Sequence, residues 1–337
     1  MMDHVDKTST LNQAKEPAPP GADGSLPTAV ITTDILSSEG YNPLLLLQDQ
    51  TASPAAIIVS CPHAGRDYPA SMTDKAALDV AEMRGLEDFG VDHLLGNLPA
   101  TGITCVINRI ARAYIDVNRA AGALDSAMFD TPIDADKPSR QVTAGYGLIP
   151  RLSAKRDPLY NTSLPAEEVD RRLGLVYRPY HDMLASQIAS REQDHGQCLL
   201  VDVHSMPPRD RTNRLLADII LGDCLDTTLD RDKAQSITEF FKNEGLRVVW
   251  NDPYAGGYIT RAHGKAGTPK QSVQIEINRS LYMRDKAMSA GTPKLDISKA
   301  HQITQMMGRL GAYLVEMQTD AASPIGQIWR RGCHCRA

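Results

Sequence analysis

Five short runs of nearly unbroken apolar and β-branched residues constrain this chain more than anything else in it. They are AAIIVSCPHAG (55–65), ITCVINRIARAYIDVNR (103–119), CLLVDVHSM (198–206), LRVVWNDPY (246–254) and VQIEINRSLYM (273–283). Runs that stay apolar without alternating read as strands buried on both faces, because a half-solvated strand shows a period of two. Between them lie segments with the other period. In 167–196 and 300–318 apolar residues recur at spacings of three and four, and the first ends on a glycine, as amphipathic helices do. Strands covered on both sides and alternating with helices predict an α/β fold of three layers, α/β/α, with a mixed, largely parallel central sheet.

The ends and one internal stretch lack either period. Residues 1–28, rich in Pro, Ala, Gly and charge, are expected to be a flexible N-terminal arm. Residues 29–320 are expected to form a single α/β hydrolase domain, and 321–337 a C-terminal tail. Within the domain, 131–165 carries many Pro, Gly and Arg residues and reads as an excursion able to fold over a site as a lid.

Composition narrows the partners. A net charge of −5 over 337 residues provides no basic excess to neutralise phosphates, so no nucleic-acid partner is expected. No run approaches the roughly 18 apolar residues of a membrane span, and the start lacks a basic segment followed by an apolar core. The expectation is therefore no membrane partner and a cytoplasmic location. Cys61, Cys105 and Cys198 sit inside the apolar runs, where a reduced thiol packs as a small hydrophobe, as suits a reducing compartment. The Cys333-His334-Cys335 group has no second ligand pair nearby and makes a poor metal site.

In open α/β sheets ligands bind beyond the carboxyl ends of the strands, so the polar residues that finish each run are the candidate site. His63, Asn118 with Arg119, His204, and Glu276 with Asn278 and Arg279 occupy those places. A catalytic zinc site needs about three nitrogen or oxygen ligands and an open position. His63 and His204 supply two, and the third is sought among Asp67, Glu87, Asp88 and Asp92. A strand histidine on its own is more often a hydrogen-bonded core residue than a ligand; two at strand ends with a carboxylate in reach favour the metal. Glu276, flanked by Ile275 and Ile277, is costly to bury without a partner and is placed to act as general base; the plainer alternative is an ion pair with Arg279 or Arg119. Arg112 is positioned to face a developing oxyanion. Arg119 and Arg261 offer planar forks for a substrate carboxylate. His181 and Tyr180 read as packing or lid contacts, and His263 is left outside the metal set.

Seven blocks in order, CPHAGRDYP, LEDFGVDHLLG, RAYIDVNR, PYHDML, LLVDVHSMPP, GGYITRAHG and IEINRSLYM, resemble the signature of the N-formylglutamate amidohydrolase family. They extend over about residues 56–284. The resemblance implies a zinc-carboxypeptidase-like fold and hydrolysis of an N-acyl amino acid, N-formyl-L-glutamate giving formate and L-glutamate. The implied partner is a small acidic N-acyl amino acid and the implied cofactor one Zn2+ per chain. It places the metal on His63, Asp88 and His204, with Asp88 chosen because family members share an acidic residue followed four places on by an aspartate, here Asp92. It also implies that Asn118 and Arg119 hold the substrate carboxylate, as a similar pair does in related carboxypeptidases. Those relatives take a ligand from a glutamate three residues after the first histidine, where this chain has Arg66. Two further readings are a metallo-carboxypeptidase or peptide amidase, and a metal-free protein binding an acidic metabolite.

Overall fold

A computed structural model describes residues 42–284 and 293–322. The proposed arm 1–28 and the Cys333-His334-Cys335 group lie outside the described residues. Seven strands form one sheet: β1 (Leu44–Leu47), β2 (Ile57–Cys61), β3 (Thr104–Asn108), β4 (Cys198–Met206), β5 (Ile219–Gly222), β6 (Val248–Trp250) and β7 (Lys270–Asn278). Their spatial order is β1-β3-β2-β4-β7-β5-β6. The central four, β3, β2, β4 and β7, run parallel. β1 joins one edge antiparallel, and β5 pairs antiparallel with β7 and carries β6 parallel to itself on the other edge.

Successive side chains of a strand point to opposite faces, and this splits the core in two. Ile57, Val59 and Cys61 of β2, with Leu199, Val201 and Val203 of β4, pack on one face beneath the helices Arg231–Asn243 and Ile297–Ala322. Ile58, Val106 and Leu200 pack on the other face against Tyr180, Leu184 and Ile188 of the helix Arg178–His195. Each fully buried Leu or Ile contributes about 1.5–3 kcal/mol through removal from water, so both helical layers are held by apolar burial. The result is the three-layer α/β arrangement expected.

The differences from the sequence reading have physical causes. Residues 109–119 leave the sheet after Asn108: the Asn108 side chain accepts from Ile110 N at 3.1 Å and donates to Pro62 O at 2.9 Å, ending the ladder and turning the chain across the strand ends. The helical pattern of 167–196 contains a π-helical stretch, Leu173–Tyr177, between Glu167–Arg172 and Arg178–His195, and stops at Gly196 in the left-handed conformation (φ 71°). The excursion 131–165 has one short helix, Arg140–Thr143, yet buries Leu148, Ile149, Leu152, Leu159 and Leu164. It forms a packed wall of the second core.

Candidate metal centre and active site

β4 and β7 are paired so that His204 lies directly beside Glu276 and Asp202 beside Gln274. His63 follows β2 by two residues, and its carbonyl accepts from Asp88 N at 2.9 Å, which draws the 84–90 loop over the strand ends. Gly90, at φ 79°, then turns the chain into the helix Val91–Leu94, a conformation that favours glycine. These links assemble three buried groups, His63, Asp88 and His204, with one ligand atom from each lying within 4.8 Å of the others.

The hydrogen bonds show how the two rings are oriented. His63 Nε2 donates to Asp116 Oδ1 at 2.7 Å, and His204 Nε2 donates to Asp202 Oδ2 at 3.0 Å. That leaves both Nδ1 atoms directed at Asp88 Oδ2, at 3.5 Å for His63 and 3.0 Å for His204. His63 Nδ1 is buried without a hydrogen-bond partner, an arrangement that costs about 1–3 kcal/mol unless something binds there. His63, with a carboxylate on one ring nitrogen and its other nitrogen unpartnered, has the usual orientation of a metal ligand, and His204 turns its Nδ1 to the same Asp88 oxygen. The residues fit a divalent cation on these grounds.

Asp88 is separated from its neighbours by its partners. Its Oδ1 accepts from Arg279 Nη2 at 3.1 Å, and Arg279 also reaches Ser205 Oγ and Glu87 O. Burial works against the ionised carboxylate, but the hydrogen bond from His204 and the nearness of His63 outweigh it and hold Asp88 well below the usual range. Glu87 is engaged elsewhere, accepting from Tyr68 OH at 2.7 Å and Arg84 Nε at 3.3 Å. Asp92 is forked by Arg66 at 3.1 and 2.6 Å, and Asp67, 39% exposed, pairs with Arg109. Arg66 thus leaves no carboxylate at the place where the carboxypeptidases carry a glutamate ligand.

Glu276 is 6% exposed and accepts from Gln274 Nε2 at 2.9 Å. The ion-pair alternative does not describe it, since Arg279 is committed to Asp88 and Arg119 lies against Asp116. Burial pushes the Glu276 carboxyl up to about 7, with Asp88 adding to the rise and His204, Arg112 and Arg279 opposing it. His204 is held well above its ordinary value: burial opposes its charge, and Asp202, Asp88 and Glu276 outweigh that. Arg112 donates from Nε and Nη2 to Asp116 Oδ2, both at 2.9 Å, and its charge acts on Asp88 and Glu276 as well.

The two residues expected to hold the substrate carboxylate, Asn118 and Arg119, have partners within the protein. Asn118 is 3% exposed, its Nδ2 lying 3.3 Å from Asp202 Oδ2 and its Oδ1 accepting from Ile259 N at 2.8 Å. Arg119 donates Nε to Tyr146 O at 3.0 Å and Nη1 to Asn118 O at 2.8 Å, while Nη2 lies 3.6 Å from Asp116 Oδ2. In this arrangement the polar ends of both residues are taken up inside the protein. Arg261, by contrast, is exposed on the helix Tyr258–His263. His181 donates Nε2 to Val117 O at 2.9 Å and stacks on His263 at 5.7 Å, so the pair packs beside the site.

Three residues at the site were given no role from sequence, and a fourth was given another. Asp116 and Asp202 back the two histidines, Tyr254 is half-buried within electrostatic reach of Glu276 and Asp88, and Arg279, weighed as an ion-pair partner of Glu276, orients Asp88. A usable signal existed for Asp202, since an aspartate two residues before a strand histidine shares its face. None existed for Arg279, whose partner is 191 residues away in sequence.

Comparison with known proteins adds independent evidence. The family model described as N-formylglutamate amidohydrolase matches residues 55–283. The N-formylglutamate deformylase of Pseudomonas aeruginosa is 29% identical over 239 residues, covering 68% of this chain and 83% of that protein. That of Pseudomonas putida is 29% identical over 238 residues, covering 68% and 82%. The crystal structure of N-formylglutamate amidohydrolase from Ralstonia eutropha superposes with a TM-score of 0.75 at 28% identity, covering 83% of this chain and 99% of that one. A gene product of Agrobacterium tumefaciens shares the fold at a TM-score of 0.55 and 22% identity, covering 82% of this chain and 96% of its own.

Proposed function

The chain belongs to the N-formylglutamate amidohydrolase family, and on that premise we propose that it hydrolyses N-formyl-L-glutamate to formate and L-glutamate with one zinc ion held by His63, Asp88 and His204. The observation that carries the metal reading is the matched orientation of the two rings, each with Nε2 on a buried aspartate and Nδ1 facing Asp88. Bound there, the cation supplies Lewis acidity and lowers the pKa of water from 15.7 toward about 7.

The chain's own residues carry the rest. Glu276, whose carboxyl lies at about 7, takes a proton from the water attacking the formyl carbon and returns it to the glutamate nitrogen as the C–N bond breaks. A value near the working pH suits both transfers. Arg112, fixed by Asp116, presents its positive charge to the side where carbonyl oxygen gathers negative charge. Arg261 is the cation assigned to a substrate carboxylate, since the residue is exposed on the helix Tyr258–His263, whose Ile259 N bonds Asn118 beside the two histidines. Arg119 ties the Tyr146 loop to Asp116.

Among the described residues no helix is long and apolar enough to cross a membrane. Cys61, Cys105, Cys198 and Cys224 are free thiols, the first three buried, which supports the cytoplasm as the working compartment.

The test is metal content of freshly purified protein by elemental analysis, with formate release from N-formyl-L-glutamate measured before chelation, after it, and after zinc return. About one zinc per chain with restorable activity is expected. Zinc without formate release would move the substrate to other N-acyl amino acids or peptides, and protein that takes up no metal would favour the metabolite-binding reading.

A further inference from the structure

Asn118 makes four main-chain and side-chain contacts, two of them to the aspartates behind the two histidines. Its backbone N donates to Asp116 Oδ1 at 2.9 Å, the same oxygen that accepts from His63 Nε2. Its Nδ2 is directed at Asp202 Oδ2, the oxygen that accepts from His204 Nε2, and the two nitrogens lie 3.0 Å apart because they share that acceptor. Its Oδ1 accepts from Ile259 N in the first turn of the helix Tyr258–His263, and its carbonyl accepts from Arg119. The partners fix which end of the amide is which: reversing it would set an oxygen against a carboxylate and an NH2 against a backbone N–H. The approach is also close. A Cβ added to Gly257 would stand within 2.3–2.6 Å of the Asn118 amide, so this contact requires a glycine.

We propose that Asn118 is a positioning residue that clamps the two aspartates behind the metal-binding histidines to the segment bearing Arg261. The proposal rests on the metal reading given above and assigns Asn118 no contact with substrate. The physical reason is geometric. Asp116 and Asp202 come from a loop and from β4. Arg112 holds the far oxygen of Asp116 and Ser60 that of Asp202, and Asn118 adds a second donor to the oxygen of each that accepts from a histidine, its backbone N to Asp116 and its Nδ2 to Asp202. The same residue receives the N–H of Ile259, which is fully buried, so the Arg261 helix is registered against the metal centre through one side chain. Ligand histidines whose outer partners are disturbed typically lose 10–100-fold in metal affinity.

The test compares wild type, Asn118→Ala and Asn118→Asp by two readouts that need no catalysis: zinc affinity by competition with a chelator, and amide hydrogen exchange over 257–262. Asn118→Ala keeps the backbone N–H on Asp116 and loses the donor to Asp202 and the acceptor for Ile259, so it is expected to bind zinc roughly 10–100-fold more weakly and to exchange faster at Ile259 and its neighbours. Asn118→Asp retains an oxygen for Ile259 but replaces the donor facing Asp202, so protection of 257–262 is expected to return while zinc affinity stays low. General loosening of the fold would move both readouts together in both variants, and that result would overturn the clamp. A raised KM for N-formyl-L-glutamate in Asn118→Ala, with zinc affinity and exchange unchanged, would overturn it in favour of a substrate contact. Wild-type protein that took up no zinc would refute the metal reading alone, and exchange at Ile259 in the two variants would still decide for or against the clamp.

Discussion

Replacing Glu276 with glutamine preserves the shape of the side chain and an oxygen for Gln274 Nε2, and removes only the ability to ionise. The structure attaches two consequences of opposite sign to that change. The first concerns stability. Burial, with Asp88, lifts the carboxyl from its usual 4.5 to about 7 against the pull of His204, Arg112 and Arg279. A folded-state value above the unfolded one makes the ionised group a cost to folding. That cost is absent below the unfolded value, grows as pH rises through the interval, and is complete above the folded value. At 1.36 kcal/mol per pH unit the interval is worth about 3 kcal/mol. Urea unfolding of chelated protein should therefore find E276Q more stable than wild type by up to about 3 kcal/mol at about pH 8, and equal to it near pH 4. The second concerns activity. Loss of a general base costs about 10²–10⁴ in kcat, so formate release should fall by that factor in zinc-loaded E276Q with KM little changed. A variant less stable than wild type at about pH 8, or one keeping most of its kcat, would refute the argument, because Glu276 would then be a structural carboxylate.

Asp116→Asn removes the charge that holds His63 Nε2 at 2.7 Å and Arg112 at 2.9 Å. Chelator competition should show zinc bound about 10–100-fold more weakly, and unchanged affinity would separate Asp116 from the metal centre. Glu168→Gln removes the charge that lies 2.9 Å from the fully buried Arg172 and from Lys75. A loss of about 3–5 kcal/mol is expected at neutral pH. Burial raises the Glu168 carboxyl, but Arg172, Lys75 and Arg171 outweigh it and hold it below its usual 4.5. Its stabilisation is present above the unfolded value and lost as pH falls through the folded one, so urea melts of wild type and variant should converge in acid. Arg261→Met should raise KM for N-formyl-L-glutamate about tenfold with kcat largely kept, the pattern of a lost binding contact; a fall in kcat at constant KM would contradict the assignment.

How much of this was legible in the sequence depended on the range of the interaction involved. Strands β2, β4 and β7 announce themselves because each is an apolar run buried on both faces, and His63, His204 and Glu276 stand out as polar residues interrupting or ending those runs. β1 and β5, four residues each, are too short to show a period. The run 103–119 overstated its strand because Ile110, Ile115 and Val117 are apolar for another reason: they are buried in a packed loop. Among the carboxylates, the resemblance pointed to Asp88, while residue spacing alone left Asp67, Glu87 and Asp92 beside it.

By itself the sequence determined the layered α/β architecture and set two histidines and a buried glutamate within or just beyond its strands. All of these follow from hydrophobic patterning and from the cost of burying a polar group unpaired, which are local properties of the chain. Only the tertiary structure decided which nitrogen of each histidine faces Asp88, that Arg279 selects Asp88 while Arg66 occupies Asp92, and that the Asn118 amide is spent on Asp202 and Ile259. Those outcomes depend on partners 25 to 191 residues apart along the chain. Hydrogen bonds act over about 3 Å and are directional, so no spacing in the sequence encodes them until the sheet has brought the strand ends together.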